Sequence, residues 1–204
     1  MPRTVDSAHR ERLVAAVARD LIEHGLVGAS LDRLATSAGT SARMLVHHFG
    51  SRQALIDAAL EHARGLELAR ARAELAPGRD FLRVLAGAWT WFSSDEAHRY
   101  FRLFGQVAAF YRLGEEERDS VPRSRLTAEW LTILADGFIA SGCRPRAAHR
   151  LATVVVAQVR GLLLDLDATG ARPRIGRAYQ DFIGLLASSP DIPRAALSKA
   201  EAKR

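Results

Sequence analysis

Apolar residues recur at intervals of three and four along nearly the whole of this 204-residue chain. Over residues 8–24 they are Leu13, Val14, Val17, Leu21 and Ile22. This spacing puts them on one face of a helix, because an α-helix completes a turn about every 3.6 residues. No segment between turn signals shows the two-residue alternation of a half-buried strand. The sequence therefore predicts an all-α fold without a sheet.

Prolines, glycines and small polar residues divide this pattern into about nine helices. The predicted helices span residues 8–24, 31–38, 41–48, 52–76, 80–92, 96–113, 122–140, 145–168 and 173–188. Three short helices precede the long one that begins at Arg52, and long helices follow it. We therefore expect a small N-terminal domain over residues 1–63, a larger domain over 64–189 and a flexible tail over 190–204.

The balance of charge favours an anionic partner without identifying one. The chain carries 29 lysine and arginine residues against 23 acidic residues, a formal net charge of +6. Residues 1–55 hold seven arginines and five acidic residues, so most of the excess lies outside the predicted N-terminal domain. Bulk charge therefore supplies only non-specific attraction, and specific recognition depends on where single arginines sit.

Cysteine usage and hydropathy indicate the compartment. The single cysteine, Cys143, excludes an intramolecular disulfide framework and fits a reducing environment. The first residues lack the apolar core of a secretion signal, and no apolar stretch approaches the roughly 20 residues of a spanning helix. We expect a cytoplasmic protein with no membrane partner.

Residues 30–49 have the spacing of a helix-turn-helix motif. Two short helices cross steeply only where a small residue lies at their contact, which Ala35 supplies. The turn needs a residue that tolerates a positive φ four positions later, and this is Gly39. Ser30 and Thr40 are placed to cap the two helices. The inward residues are expected to be Leu34, Ala38, Leu45 and Phe49.

The outward face of the second of these helices carries groups suited to DNA. They are Ser41, Ala42, Arg43, Val46 and His47. Hydroxyl and helix-terminal N–H groups bind phosphate, arginine reads O6 and N7 of guanine, and alanine contacts the thymine methyl group. The motif therefore predicts a recognition helix for the major groove.

The segment 7–63 resembles the N-terminal DNA-binding domain of the tetracycline-repressor (TetR) family of bacterial transcriptional regulators. The run from Met44 to Leu55, MLVHHFGSRQAL, is similar to the family pattern LYhHFxsKeaL. The resemblance implies a helix-turn-helix domain followed by a helical domain for effector binding and dimerisation. It also implies a function in transcriptional regulation.

The resemblance further implies which residues contact DNA. The implied contacts are Ser30, Leu31, Thr40, Ser41, Ala42, Arg43, His47 and Arg52. Arg52 stands where the family commonly has lysine and would hold the DNA backbone. Val46 replaces an aromatic residue that contacts phosphate, which removes one backbone contact. Arg43 replaces a glycine or proline, which adds a base-reading group.

The predicted helix over 145–168 is apolar around more than one face, and such a helix needs burial on two sides. One side fits its own domain. The other side, with the last helix, fits a twofold-related partner, and the resemblance implies such a dimer interface. The residues expected there are Val155, Leu162, Leu166, Ile175, Tyr179, Phe182 and Leu186. The alternative is that they form the buried core of a monomer.

Aromatic residues cluster in the middle of the chain, and their helical spacing fits an ordinary core. The resemblance implies instead that part of this cluster lines a cavity for an apolar or aromatic effector. The residues expected there are His98, Phe101, Phe104, Gln106, Trp130 and Gln158. An effector that fits only one conformation would lower operator affinity by its differential binding.

The sequence thus predicts a ligand-responsive repressor that binds a palindromic DNA operator as a homodimer. Transcriptional activation stays open as an alternative, as does a helical ligand-binding protein without a DNA function. An enzyme is disfavoured, because the chain has no glycine-rich phosphate loop, HExxH or GxSxG motif. No catalytic residue, cofactor or metal site is predicted.

Overall fold

The computed structural model of the chain describes residues 3–75, 80–113 and 123–193. Within these ranges the regular structure is helical throughout, as the sequence predicts, and no strand occurs. The helices are α1 (Arg3–His24), α2 (Leu31–Ser37), α3 (Ala42–Phe49), α4 (Arg52–Glu74), α5 (Phe81–Gly87), α6 (Trp89–Phe92), α7 (Asp95–Leu113), α8 (Arg123–Ala140), α9 (Pro145–Thr169) and α10 (Arg172–Ala187).

The structure divides one predicted helix into two. The sequence predicts a single helix over 80–92, but the helix breaks at Ala88, between α5 and α6. The Ala88 N–H is shared between the Val84 and Leu85 carbonyls, which is the tightened geometry of a helix end. The break accompanies the packing of the Trp89 ring, which stacks on Tyr179 with ring centroids 5.3 Å apart. Tertiary packing of this kind overrides local helix propensity.

Two helix starts also differ from prediction. Helix α1 begins at Arg3, five residues before the predicted start. Helix α3 is capped by Ser41 and not by Thr40, because the Ser41 Oγ accepts a hydrogen bond from the Met44 N–H at 3.2 Å. A serine in extended conformation at this position satisfies an N–H group that the helix itself leaves free.

The helices form two compact units. The first unit, which we call the head unit, comprises Met1–Glu67 and Arg99–Arg123. Its core contains one apolar face from each of α1 to α4, with Leu21 and Leu45 fully buried. Helix α7 belongs to the same core through Leu103 and Val107. The head unit is therefore built from the N-terminal helices and from one helix of the middle of the chain.

The second unit, which we call the body unit, comprises Leu68–His98 and Ser124–Arg204. Its core is richer in aromatic rings, and Phe81 and Phe138 lie edge to face with centroids 4.7 Å apart. The Phe81 ring occupies the space that a side chain at Gly137 would need, since a Cβ there would lie 2.1 Å from the ring. The Tyr179 hydroxyl, which is buried, donates to the Leu85 carbonyl at 2.5 Å.

The beginning of the predicted flexible tail packs on the body unit. Ile192 is buried in the core cluster of this unit, and its N–H donates to the Ser189 carbonyl. Residues 194–204 lie outside the described part of the chain. Over the described residues, none of the helices has both the length and the apolarity that crossing a bilayer demands.

Candidate nucleic-acid interface

The helix-turn-helix motif folds as its residues predict. Gly39 adopts a φ of +63°, a left-handed conformation that a residue with a side chain rarely takes. The contact between α2 and α3 is built around Ala35, which is buried. The inward leucines, Leu34 and Leu45, have no exposed surface, and Phe49 is also buried. The two helices are therefore fixed against α1 and α4 by apolar burial.

Two serine hydroxyls organise the starts of α2 and α3. Ser30 Oγ accepts from the Arg33 N–H at 3.2 Å, and Ser41 Oγ accepts from the Met44 N–H at the same distance. Each hydroxyl uses a lone pair for its cap and keeps its O–H hydrogen as a donor. An exposed hydroxyl in this arrangement can donate to a phosphate oxygen while it caps its helix.

The outward face of α3 is open to solvent. Arg43 and His47 are exposed, and the neighbouring Met44 and Val46 expose 40% and 39% of their surface. None of the eight residues predicted to contact DNA is buried, and all eight lie in the head unit. The fold therefore leaves the predicted contact residues accessible.

The two adjacent histidines of α3 have different surroundings. His47 is exposed, whereas His48 is half-buried and lies edge-on to His9 of α1 and to His47, with ring centroids 5.4 Å apart in both pairs. His48 also contacts the Phe49 ring. His48 therefore packs α3 against α1, and His47 is the histidine available to a partner.

The turn between α1 and α2, which we call the α1–α2 turn, covers residues 25–30 and is held by three polar side chains. Arg33 donates to the Gly25 carbonyl at 2.9 Å and to the Val27 carbonyl at 3.5 Å. Arg52 donates through Nε to the Ala29 carbonyl at 2.7 Å. Gln106 of α7 accepts from the Leu26 N–H at 3.1 Å. The position of this turn therefore depends on α2, α4 and α7.

Sequence reasoning missed these roles. Arg33 was not singled out, yet it also pairs with the buried carboxylate of Asp20 at 3.0 Å. Arg52 was predicted only as a DNA contact. The acceptors for both arginines are backbone carbonyls, and a sequence does not show which carbonyls accept a side-chain hydrogen bond. The only signal available was an arginine close to the Gly25–Gly28 turn.

The six predicted effector-pocket residues are divided between the two units. Phe101, Phe104 and Gln106 belong to the head unit, whereas His98, Trp130 and Gln158 belong to the body unit. Phe101 and Phe104 are partly buried, and each contacts the Tyr100 ring, with centroids 5.3 and 4.6 Å away.

The other predicted pocket residues have different environments. The carboxamide oxygen of Gln106 accepts a hydrogen bond from the α1–α2 turn, and Gln158 is exposed on α9. His98 Nε2 lies 2.8 Å from Asp167 Oδ1. Trp130 is partly buried and packs against Leu68, Ala71 and Ile133. In a sequence, a polar residue with helical spacing looks the same whether it faces a cavity, a turn or solvent.

The structure also relocates the predicted dimer residues. Six of the seven are buried inside the core of this one chain, and Phe182 is partly buried against it. The six are Val155, Leu162, Leu166, Ile175, Tyr179 and Leu186. They face inward because α9 and α10 use their most apolar sides for their own core. The large apolar residues that α9 and α10 leave exposed are Val154, Leu164 and Leu185.

Within the described part of the chain, no three histidine, cysteine or acidic side chains are grouped so that they could hold a metal ion. Buried titratable groups occur in the body unit without forming such a group. Burial raises the pKa of the Cys143 thiol, and the nearby Asp191 adds to the rise. A higher pKa lowers the fraction of thiolate, which is the nucleophilic form of cysteine.

The head unit thus has the geometry of a helix-turn-helix DNA-binding domain, carried in a chain that is otherwise helical. Comparison with known proteins agrees with this class. Residues 13–59 match the model of the family described as bacterial regulatory proteins, tetR family. This N-terminal segment of the chain is therefore similar to the DNA-binding segment of the TetR family.

Solved structures share the fold over most of the chain. A transcriptional regulator from Rhodococcus sp. RHA1 is 25% identical, with a TM-score of 0.71 over 90% of this chain and 98% of that one. A TetR-family regulator from Cytophaga hutchinsonii is 18% identical, with a TM-score of 0.70 over 92% and 97%. The multidrug-binding protein EbrR, solved with imidazole, is 24% identical, with a TM-score of 0.65 over 95% and 94%. No curated protein matches the chain in sequence.

Proposed function

We propose that this protein is a ligand-responsive transcriptional repressor that binds a palindromic DNA operator as a homodimer. The observation that carries the proposal is the exposed outward face of α3, held rigidly by capped helices over a buried apolar core. The match of residues 13–59 to the TetR family model supports a regulatory function of this kind.

Direct base reading falls to Arg43 in this proposal. Its side chain is exposed in the first turn of α3, and a guanidinium there can donate two hydrogen bonds to one guanine. Ser30, Ser41 and Arg52 border the same motif and have donors for phosphate oxygens. Arg52 has a double role, since Nε holds the Ala29 carbonyl while the outer nitrogens of the guanidinium can face DNA.

We place the dimer surface on the exposed stripe of α9 together with the exposed part of α10. Small and apolar residues recur there at intervals of three and four, which is the pattern of a helix seam. On α9 they are Val154, Ala157, Gly161, Leu164 and Ala168, and on α10 they are Gly184 and Leu185. A twofold dimer would present two recognition helices, and reading one face of DNA requires them to be about 34 Å apart.

We assign the effector to the body of the molecule and expect an apolar or aromatic compound. The likeness to a multidrug-binding protein supports this class, as do the contacting rings of Trp89, Phe92 and Tyr179 in the body unit. The effector releases the protein from DNA if it binds more tightly to the conformation with low DNA affinity. The free energy by which it shifts the conformational equilibrium equals the difference between its binding free energies for the two conformations.

The DNA proposal is tested by selecting preferred sequences from a random double-stranded library with the full-length protein. We expect recovery of a palindromic site, followed by a gel shift at moderate salt in which that site binds far more tightly than random DNA. Arg52→Ala should weaken all sequences and flatten the salt dependence, because it removes a phosphate contact. Arg146→Ala is the control, since Arg146 is an exposed arginine of α9. Absence of any preferred sequence would refute the proposal.

The dimer proposal is tested by Leu164→Glu, with the molar mass measured by light scattering. Leu164 is 72% exposed, so a charge there does not disturb the core of one chain, but it opposes burial between two chains. We expect a shift from dimer to monomer. Leu66→Glu on α4, at a leucine that is 62% exposed outside the stripe, should leave the mass unchanged. An unchanged mass for Leu164→Glu would show that the interface lies elsewhere.

A further inference from the structure

We propose that Gln106 of α7 is a positioning residue for DNA binding, because it fixes the α1–α2 turn from which the helix-turn-helix motif begins. The inference rests on the proposed DNA-binding function. Gln106 does not face the DNA in this proposal. It acts on the start of α2 through the backbone of the turn.

The contact between Gln106 and the turn is close and specific. The carboxamide oxygen accepts from the Leu26 N–H at 3.1 Å. At Gly25 an added Cβ would lie 2.9 Å from the same oxygen, and the φ of +77° there also favours glycine. The turn and the carboxamide therefore fit each other at two successive residues. The N–H donor also settles the orientation of the amide, since only the oxygen can accept.

The same face of α7 joins the head unit through three further residues. Arg99 Nε lies 3.1 Å from Glu23 Oε2, near the end of α1. Leu103 and Val107 are buried in the core that α1 to α4 share. Leu103 follows Arg99 by four residues, and Gln106 and Val107 follow Leu103 by three and four, so these residues lie on one side of the helix. Helix α7 is thus a fifth helix of the DNA-binding unit, about 40 residues beyond the end of the matched family segment.

The turn matters for DNA because it leads directly into the cap of α2. Ser30 ends the turn, caps α2 and is one of the proposed phosphate contacts. Hydrogen bonds to phosphate hold only within a few tenths of an ångström of their optimum distance. A turn that drifts therefore misplaces Ser30 and the crossing of α2 with α3. Arg33 and Arg52 hold the carbonyl groups of the turn, and Gln106 satisfies the N–H of Leu26.

The test compares two replacements of Gln106 in the full-length protein. Gln106→Met keeps the length of the side chain and removes the acceptor, whereas Gln106→Glu keeps an acceptor oxygen. For the selected operator we expect Gln106→Met to bind about tenfold more weakly and Gln106→Glu to bind within about threefold of the wild type. The salt dependence should be unchanged in both, because Gln106 neutralises no phosphate.

A second measurement tests the positioning without DNA. Hydrogen exchange at the Leu26 amide should be about tenfold faster in Gln106→Met than in the wild type, and near wild type in Gln106→Glu. Gln180→Met is the matched control, since Gln180 donates to the Ala86 carbonyl in the body unit. It removes a similar side chain to backbone bond and should change neither operator affinity nor exchange at Leu26.

The outcomes separate this inference from the proposed function. If the wild type selects an operator and Gln106→Met binds it equally well, the positioning role is wrong and the regulator proposal stands. If both Gln106 variants weaken binding alike, the accepted hydrogen bond is not the cause, and the inference is also wrong. If the wild type selects no DNA, the proposed function fails. If hydrogen exchange at the Leu26 amide is then also unchanged in Gln106→Met, Gln106 does not fix the α1–α2 turn.

Discussion

The two units of this molecule fix their backbones by different means. In the head unit, polar side chains reach across to a turn, and Arg33, Arg52 and Gln106 each bond a backbone group of the α1–α2 turn. In the body unit, rings fill the core, and the buried Tyr179 hydroxyl bonds a helix carbonyl. A surface that must stay open to DNA cannot be covered by apolar packing. Hydrogen bonds from these side chains to the backbone of the α1–α2 turn hold the surface in place instead.

This difference predicts that changes in the body unit act on stability and changes in the head unit act on DNA recognition. Four replacements test it, in order of decreasing effect. In each case the free energy of unfolding is measured by chemical denaturation, and the affinity for a selected operator is measured on the folded protein.

Phe138→Ala is expected to have the largest effect. Phe138 is 1% exposed and packs edge to face on Phe81, so truncation removes apolar burial and leaves a cavity. We expect the free energy of unfolding to fall by about 3–5 kcal/mol. The folded fraction should bind operator with nearly unchanged affinity. A loss below about 1 kcal/mol would contradict the role of the ring packing.

Arg43→Ala is expected to act in the opposite way. Its side chain is exposed, so stability should be unchanged, while discrimination at one base pair of each half-site should fall by about 1–3 kcal/mol. Competition gel shifts with single-base variants of the operator measure this loss. A uniform loss of affinity for all sequences would show that Arg43 contacts phosphate and does not read a base.

Tyr179→Phe tests a buried polar contact of the body core. Removal of the hydroxyl leaves the Leu85 carbonyl without this donor and should cost about 1–2 kcal/mol at neutral pH. Burial raises the pKa of Tyr179 well above its ordinary value in the folded protein. The stabilisation is therefore present below the unfolded pKa of about 10 and is lost as the pH rises above it.

The stability of the two proteins at alkaline pH is the control for this prediction. Tyr179→Phe should lose less stability than the wild type between pH 9 and 11 (about one unit on either side of the ordinary tyrosine pKa). Some alkaline loss should persist, because burial and then Glu67 raise the pKa of Tyr100, while Arg64 lowers it. Equal losses in the two proteins would show that Tyr179 does not titrate with unfolding.

Asp165→Asn is expected to have the smallest effect. Two hydrogen bonds from Arg174, at 2.8 Å each, hold the pKa of Asp165 below its usual range. Both groups are exposed, so solvent screens the pair, and stability at pH 7 should be unchanged within error. A measurable loss would show that surface ion pairs also stabilise the body unit.

The sequence was sufficient where one residue type has one structural use. Gly39 and Ala35 specified the turn and the crossing of the helix-turn-helix, and the structure confirms both. Helical spacing also gave the fold class and most helix ends. Ser30 was identified as a cap because a serine before an apolar helical pattern has few other functions.

The sequence was insufficient where two neighbours in the fold are distant in the chain. Gln106 and Leu26 are 80 residues apart, and nothing local distinguishes a glutamine that holds a turn from one that lines a cavity. On α9 the apolar residues surround the helix, so spacing alone could not separate the inward Leu162 from the outward Leu164. The break at Ala88 depends on how Trp89 packs, which is again a property of the assembled unit.

The aromatic character of the body core also determines what spectroscopy can see. The chain has three tryptophans, Trp89, Trp91 and Trp130, and all of them lie in the body unit. Trp89 stacks on Tyr179, and Arg70 covers the Trp91 ring at 3.7 Å. Intrinsic tryptophan fluorescence therefore reports the unfolding of the body unit and gives no signal from the DNA-binding helices. A dye or a tryptophan placed on α3 would give the head unit a signal of its own.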